Sequence, residues 1–362
     1  MQKIKDLLKK TDLQKEDIIT LLQAKEEDRL VLLQQAAIIK KQHVGNKVYL
    51  RGLIELSNIC EKDCYYCGIR KSNTKTLRYN LTDKEVLEAG QFAYENNYGS
   101  IVIQSGELQN ENFTKRIEQL LKQIKRLSDD KLGITLSCGE QEESVYKRWF
   151  DAGAHRYLLR IETSNKKLYE KLHPTNNLHS MDKRLKSLEL LRKSGYQVGT
   201  GVMIGLPFQN IEHLAKDLLF MKKLDIDMCG MGPYIEHSDT PLFQYKKTLL
   251  PLSERFDLTM KMIALLRIIM PDINIASTTA LQAIDKVGRE KVIQVGANVL
   301  MPNITPGKYR DSYSLYENKP CTDENAEDSM SCIDIRVKLA GDEVAYSEWG
   351  DSKHFKKRQS ND

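Results

Sequence analysis

Three cysteines fall close together, at Cys60, Cys64 and Cys67, in the run Asn58-Ile59-Cys60-Glu61-Lys62-Asp63-Cys64-Tyr65-Tyr66-Cys67-Gly68. The spacing is Cys-x3-Cys-x2-Cys, which lets three thiolates wrap one corner of a metal cluster. A structural zinc site wants four closed ligands, and no fourth Cys or His lies nearby in the sequence. A [4Fe–4S] cluster also takes four ligands, but an external molecule can occupy the fourth iron. Three cysteines therefore point to a cluster with one open iron. A zinc ion completed by a residue distant in sequence is the alternative. Cys138 and Cys229 stand singly at strand ends and read as small buried hydrophobes. The total of seven cysteines is odd. With such a cluster it argues for metal chemistry in a reducing, cytoplasmic setting rather than a disulfide framework.

What must position these thiols is an alternation of short apolar runs with amphipathic segments. The strand candidates are Val48–Leu56, Ser100–Ser105, Gly133–Cys138, Arg156–Glu162, Gln197–Gly205, Met228–Tyr234, Asn274–Thr278 and Ala297–Pro302. Helical patterns lie between them: Asp83–Asn97, Asn112–Leu127, Glu142–Ala152, Met181–Ser194, Ile211–Leu224, Ser253–Met270 and Ile284–Val295. Thr82 with Glu85 reads as a capping box, and Thr11 with Gln14 as another. Eight strand–helix repeats imply parallel βαβ units closed into an α/β (β/α)8 TIM barrel, with an open sheet of six or seven strands as the alternative. Residues 1–47 read as an N-terminal helical extension, 48–318 as the barrel and 319–362 as a C-terminal extension. The chemically unusual residues sit at the carboxyl ends of the strand candidates, which share one rim in a barrel.

The 362 residues are 41% hydrophobic and 29% charged, enough for a large core and too balanced for long disorder. The formal net charge of +5 is mild, and lysines interleave with acids. Only Lys353–Arg358 is a basic run, so a nucleic-acid partner is not expected. No apolar run approaches the ~20 residues of a membrane span, so no membrane association is expected either. The N-terminal residues carry no apolar signal core.

Cys60, Cys64 and Cys67, with Tyr66 in the aromatic place, resemble the radical S-adenosylmethionine (radical SAM) signature. The likeness becomes closer in Leu56-Ser57-Asn58-Ile59-Cys60, Gln104-Ser105-Gly106-Glu107, Thr135-Leu136-Ser137-Cys138-Gly139-Glu140 and Arg156-Tyr157-Leu158-Leu159-Arg160. It continues in Gly205-Leu206-Pro207, Gly230-Met231-Gly232-Pro233-Tyr234, His237–Leu242, Ala276–Ala280 and Gly296–Asn303. From about residue 45 to 335 the chain resembles the HydE family, the radical SAM maturases of [FeFe]-hydrogenase. Biotin synthase and methylornithine synthase are the nearest relatives that could be confused with it.

The resemblance implies a [4Fe–4S] cluster on Cys60, Cys64 and Cys67, with S-adenosylmethionine chelating the open iron and yielding a 5′-deoxyadenosyl radical. Ser105-Gly106-Glu107 would receive the methionine amine, Gly106 by close backbone approach and Glu107 as a charge-assisted acceptor. Glu162 would accept from the amine or the ribose, Arg184 would pair with the carboxylate, and Ser137 would donate to the ribose. Tyr66, Gln104 and Met301 would complete the cofactor site, Met301 covering adenine. Arg160, Thr135, Thr278, Thr279, Tyr313 and Tyr316 would surround an anionic substrate, since a barrel-facing Arg160 is costly without an anion. Tyr309–Tyr316 reads as a cover after the eighth strand.

HydE-type enzymes act on an iron–cysteine carbonyl/cyanide species delivered by a partner maturase, attacking or adenosylating the cysteine sulfur or its carbon frame. The expected partners are thus a small-molecule or iron-complex substrate, other hydrogenase maturases, and an electron donor such as a ferredoxin or flavodoxin. Two departures stand out. Many members carry three late cysteines for a second cluster; here only Cys321 and Cys332 are present, so no stable second [4Fe–4S] cluster is expected. The residue after Arg160, commonly His in the family, is Ile161, which removes an imidazole. Other readings are a small-molecule radical SAM synthase, an iron–sulfur carrier without turnover, and a zinc-stabilised binding module.

Overall fold

The computed structural model of the chain describes residues 2–320 and 326–361. Eight parallel strands close on themselves: β1 Lys47–Ser57, β2 Ser100–Ser105, β3 Gly133–Ser137, β4 Ala154–Leu158, β5 Gln197–Thr200, β6 Met228–Cys229, β7 Asn274–Ser277 and β8 Val299–Leu300. Each pairs with the next, and Tyr49↔Val299 and Leu50↔Leu300 join β1 back to β8. The open-sheet alternative is thereby excluded, and the molecule is a (β/α)8 barrel.

The strands are buried on both faces. Their outward residues, such as Ile54, Ile103, Leu136 and Tyr157, pack under the helices in one continuous core. Inward residues follow the two-residue strand period. They run Arg51, Leu53, Glu55 on β1 and Val102, Gln104 on β2, then Thr135, Ser137 on β3 and Arg156, Leu158 on β4, with Arg160 beyond its end.

Two expected strands break. Gln197–Gly205 stops at Thr200 and resumes as Met203–Ile204, which pairs with Gly232–Pro233, the second half of the broken Met228–Tyr234 run. At the break Gly201 lies against Gly230, and a Cβ on Gly201 would collide with the Gly230 carbonyl. The two backbones approach too closely for regular side chains.

The helix Asp83–Glu95 starts as the sequence predicts: the Thr82 hydroxyl accepts from the Glu85 N–H, and Glu85 accepts from the Thr82 N–H at 2.8 Å. The earlier capping box shifts by a step, because Gln14 and not Thr11 is the N-cap residue of Lys15–Leu22 and its N–H is held by Asp17. The helix expected over Ile284–Val295 runs over Gly288–Val295, and a separate helix, Thr279–Ile284, precedes it.

The N-terminal helices lie along the outer wall. Arg29 pairs with Asp257, Lys222 with Asp12, and Lys261 reaches the Ala24 carbonyl. The base of the barrel is closed by the C-terminal segment. A ninth strand, β9 (Glu343–Ala345), adds in parallel to β1. Beyond it the chain enters the barrel floor. Arg156 donates to the Trp349 carbonyl at 2.9 Å and to Asp351 at 2.7 Å, Gln197 donates to Asp351 at 2.8 Å, and Asn274 to the Gly350 carbonyl at 2.8 Å. Among the described residues no helix is long and apolar enough to cross a membrane.

Candidate active site at the open end of the barrel

A cavity of about 330 Å³ occupies the opposite, carboxyl end of the strands. Cys60, Cys64 and Cys67 border it from the loop after β1. That loop is clamped from several sides. The Glu61 N–H donates to the Glu107 carbonyl at 2.9 Å, the Tyr65 N–H to Leu172 O at 2.9 Å, and the Gly68 N–H to Leu315 O at 3.0 Å. His179 accepts the Asp63 N–H at 2.8 Å.

The N–H groups of Lys62 and Glu107 lie 3.4 and 3.3 Å from Cys60 Sγ, which suits a sulfur carrying negative charge. Burial pushes all three thiols up, Cys64 to about 12, so without a metal they stay protonated. Among the described residues no set of Cys, His, Asp and Glu side chains forms a cage for a single metal ion. Three sulfurs on one rim, with N–H donors aimed at one of them, fit a polynuclear iron–sulfur cluster.

Tyr66 hydrogen-bonds through its hydroxyl to His173 Nε2 at 3.3 Å. His173 Nδ1 lies 2.8 Å from the Tyr169 carbonyl, which can only accept. The proton is therefore on Nδ1, and Nε2 accepts from Tyr66. Burial holds the ring neutral by pushing its pKa down to about 3.

Beside Cys60 four charges interlock. Lys62 lies 3.0 Å from both Glu107 and Glu140; Arg184 lies 3.4 Å from Glu107 and 2.7 Å from Glu140. All four side chains are nearly buried. Glu107, expected to accept from the methionine amine, and Arg184, expected to pair with its carboxylate, each also hold protein partners. Gly106 does allow close approach, but of the cysteine loop: a Cβ there would overlap the Ile59 carbonyl and Cys60.

Arg160 borders the cavity. Its anion is already present, because Nη2 donates to Glu162 Oε2 at 2.9 Å. Glu162 has a left-handed backbone, φ 65°, and borders the cavity. Thr135 is removed from the wall. It lies two residues below Ser137 on β3, about 6.6 Å deeper at the strand rise, and accepts from Arg156 Nε at 3.0 Å. Gln104, Ser105, Ser137, Met301, Thr278 and Thr279 do line the cavity. The Tyr313 hydroxyl accepts from Gln104 at 3.2 Å, and the Tyr316 and Thr279 hydroxyls are 3.0 Å apart. Both tyrosines come from residues 307–320, which bridge from the cysteine loop to the opposite rim: Asn58 donates to Ser312 O, and Glu317 N–H to Glu236 O. Ile161 is fully buried in the core and faces away. Cys332 is exposed, and Cys321 lies outside the described residues.

Three charged lining residues, Lys62, Glu55 and Lys319, and Glu140 beside Lys62, escaped the sequence reading. Lys62 stands inside the cysteine motif and Glu140 closes the β3 motif, so both were visible but unassigned. Glu55 shares the inward phase of Arg51 and Leu53, a signal that strand periodicity carries. Lys319 has no local signal; only the return of the chain brings its ammonium 2.6 Å from Glu55.

Barrel, cysteine loop and cavity together define a radical SAM enzyme, using an iron–sulfur cluster and S-adenosylmethionine; the model of the radical SAM superfamily matches residues 54–221. The [FeFe] hydrogenase maturase subunit HydE of Thermotoga maritima is 42% identical over 322 residues, covering 89% of this chain and 88% of that protein. The chain belongs to the HydE family. Among solved structures, methylornithine synthase (TM-score 0.78, 22% identity) covers 95% of this chain and 98% of its own. The FeFe-hydrogenase maturase HydG from Carboxydothermus hydrogenoformans (TM-score 0.80, 20% identity) covers 95% and 79%. At those identities the two share the fold.

Proposed function

We propose that this chain is a radical SAM maturase acting in assembly of the [FeFe]-hydrogenase di-iron cofactor. The observation that carries the reading is that the three thiols of Cys60, Cys64 and Cys67 open onto the same closed-bottomed chamber as Glu162, Ser137 and Arg160. A [4Fe–4S] cluster held by these cysteines, when bound with S-adenosylmethionine and reduced, supplies a 5′-deoxyadenosyl radical. The protein's own part is to hold, orient and exclude water.

Glu162 offers a carboxylate to the amine or ribose, Ser137 a hydroxyl, and Met301 an apolar surface for the base. Gln104, Tyr66, Ser105, Gly106 and Glu107 complete that wall. The Lys62–Glu107–Glu140–Arg184 cluster pins the cysteine loop to the ends of β2 and β3, so thiols and cofactor share one rigid frame. On the rest of the chamber wall Thr278, Thr279, Tyr313 and Tyr316 present hydroxyls, and Arg160 adds a cation tempered by Glu162. Such a wall suits a small anionic or metal-bound substrate. The partners are other hydrogenase maturases and a reducing protein of the ferredoxin or flavodoxin kind.

The test is anaerobic reconstitution with iron and sulfide, reduction with dithionite, and quantitation of 5′-deoxyadenosine against Cys60→Ala. Product absent above that control sinks the radical reading. Deleting the gene should abolish hydrogenase activity and leave biotin-independent growth intact; the reverse pattern would assign a biotin-type synthase.

A further inference from the structure

Asp217 lies in the middle of the outer helix Ile211–Leu224, does not border the chamber, and is fully buried. Its Oδ1 accepts from both the backbone N–H and the hydroxyl of Ser164, each at 2.6 Å, and the neighbouring Thr163 hydroxyl also lowers its pKa by hydrogen bonding. Burial without a cation pushes its pKa up to about 7. A carboxylate buried without a cation costs stability, which its hydrogen bonds offset only in part.

What it holds is the turn after β4. Glu162 sits there at φ 65°, a left-handed conformation that is strained for a non-glycine residue and persists only when its surroundings fix it. On one side the N–H groups of Ile161 and Glu162 both donate to Gly201 O, at 3.1 and 3.0 Å, and the Met203 N–H donates to Glu162 O at 3.1 Å. On the other side the fixing comes from Asp217, two residues on, at Ser164. The same turn launches the next helix. Asn165 caps Lys166–Leu172 through the Leu168 N–H at 2.9 Å, and Leu172 O receives the Tyr65 N–H from the cysteine loop. One anchor thus governs both where the Glu162 carboxylate points and where a support of the cysteine loop stands.

We propose that Asp217 is a positioning residue, whose clamp on Ser164 holds Glu162 in the left-handed backbone from which its carboxylate reaches S-adenosylmethionine. The proposal rests on the reading of Glu162 given above. A different residue at 217 that still accepts from both Ser164 donors should serve. Asn does so through its amide oxygen; Ala cannot.

The experiment is equilibrium dialysis of labelled S-adenosylmethionine against anaerobically reconstituted protein, with the cluster's electron paramagnetic resonance spectrum recorded alongside. Asp217→Ala should weaken binding about tenfold, and Asp217→Asn less than about twofold. In a Glu162→Gln background, Asp217→Ala should add less than about twofold, because its effect passes through Glu162. Ser164→Ala, which removes one of the two hydrogen bonds without opening the core, is the second variant should Asp217→Ala not fold; it should weaken binding about threefold. Unchanged binding in Asp217→Ala or, where that variant does not fold, in Ser164→Ala overturns the proposal. So does an Asp217→Ala loss that multiplies in full with that of Glu162→Gln. If Glu162→Gln alone leaves binding unchanged, the assignment of Glu162 to the cofactor fails first and takes the proposal with it, a result distinct from the other two.

Discussion

Replacing Lys319 by Met should destabilise the protein in a way that depends on pH. The Lys319 ammonium has three protons and three acceptors: Glu55 Oε1 at 2.6 Å, Tyr313 O at 3.0 Å and Arg310 O at 3.5 Å. The Glu55 and Lys319 side chains are only 3% and 9% exposed. Removing one member of a buried pair strands the other, at about 3–5 kcal/mol. The variant has an escape, which is to protonate Glu55, whose pKa burial already raises against the pull of Lys319. At pH 7 that escape costs about 1.4 kcal/mol for each of roughly 2.7 units above the unfolded glutamate value, near 3.7 kcal/mol, and at pH 5 only about 1 kcal/mol.

The sign follows from proton binding. In the variant the folded pKa of Glu55 lies above the unfolded one, so the folded state holds more protons between the two. Stability therefore falls as pH rises through that window. Urea unfolding of the apo-protein at pH 5 and pH 7 checks this. Lys319→Met should lose about 3.7 kcal/mol at pH 7 and about 1 kcal/mol at pH 5. Glu55→Gln combined with Lys319→Met should recover most of the loss, because no charge is left buried. An equal loss at both pH values, or a double variant no better than the single one, would refute the claim that a stranded carboxylate is the cause.

Gly106→Ala should disturb the cysteine loop, because the added Cβ meets the Ile59 carbonyl and Cys60; iron and sulfide after reconstitution should fall below about half of the unaltered protein's content. A second pH effect belongs to His354, whose pKa is raised by its hydrogen bond to Asp272, against burial, and by Asp225. Its stabilisation is complete below the unfolded histidine value and disappears as pH rises through the raised folded value. Melting temperatures from pH 6 to pH 9 should therefore decline less steeply in His354→Gln, and an unchanged slope would count against the pair.

Much of this molecule was legible in its chain. The cysteine spacing carried the cluster chemistry, because a thiolate trio within one short loop has few other uses. The strand–helix alternation carried the barrel, since buried parallel strands read as apolar runs. Strand-end residues such as Gln104, Ser137 and Thr278 could be gathered on one rim before any coordinates, because a parallel barrel puts all carboxyl ends together. Depth along a strand was harder. Thr135 and Ser137 share a phase, and only the position of Arg156 beneath them puts Thr135 out of reach.

What tertiary structure alone decided is who pairs with whom. Glu107, Arg184 and Arg160 carry charges that the chain displays openly, but what Glu107 and Arg184 pair with depends on Lys62 and Glu140 arriving from other loops, while Arg160 finds Glu162 two residues on. Lys319 and Glu55 are separated by most of the barrel in sequence, as are Asp351 and Arg156, and Asp217 and Ser164 sit on different elements. Local propensity acts over a few residues and so fixes periodicity, caps and motif. A buried charge is settled by whatever the fold brings within about 4 Å of it, and no local pattern in the chain encodes that distance.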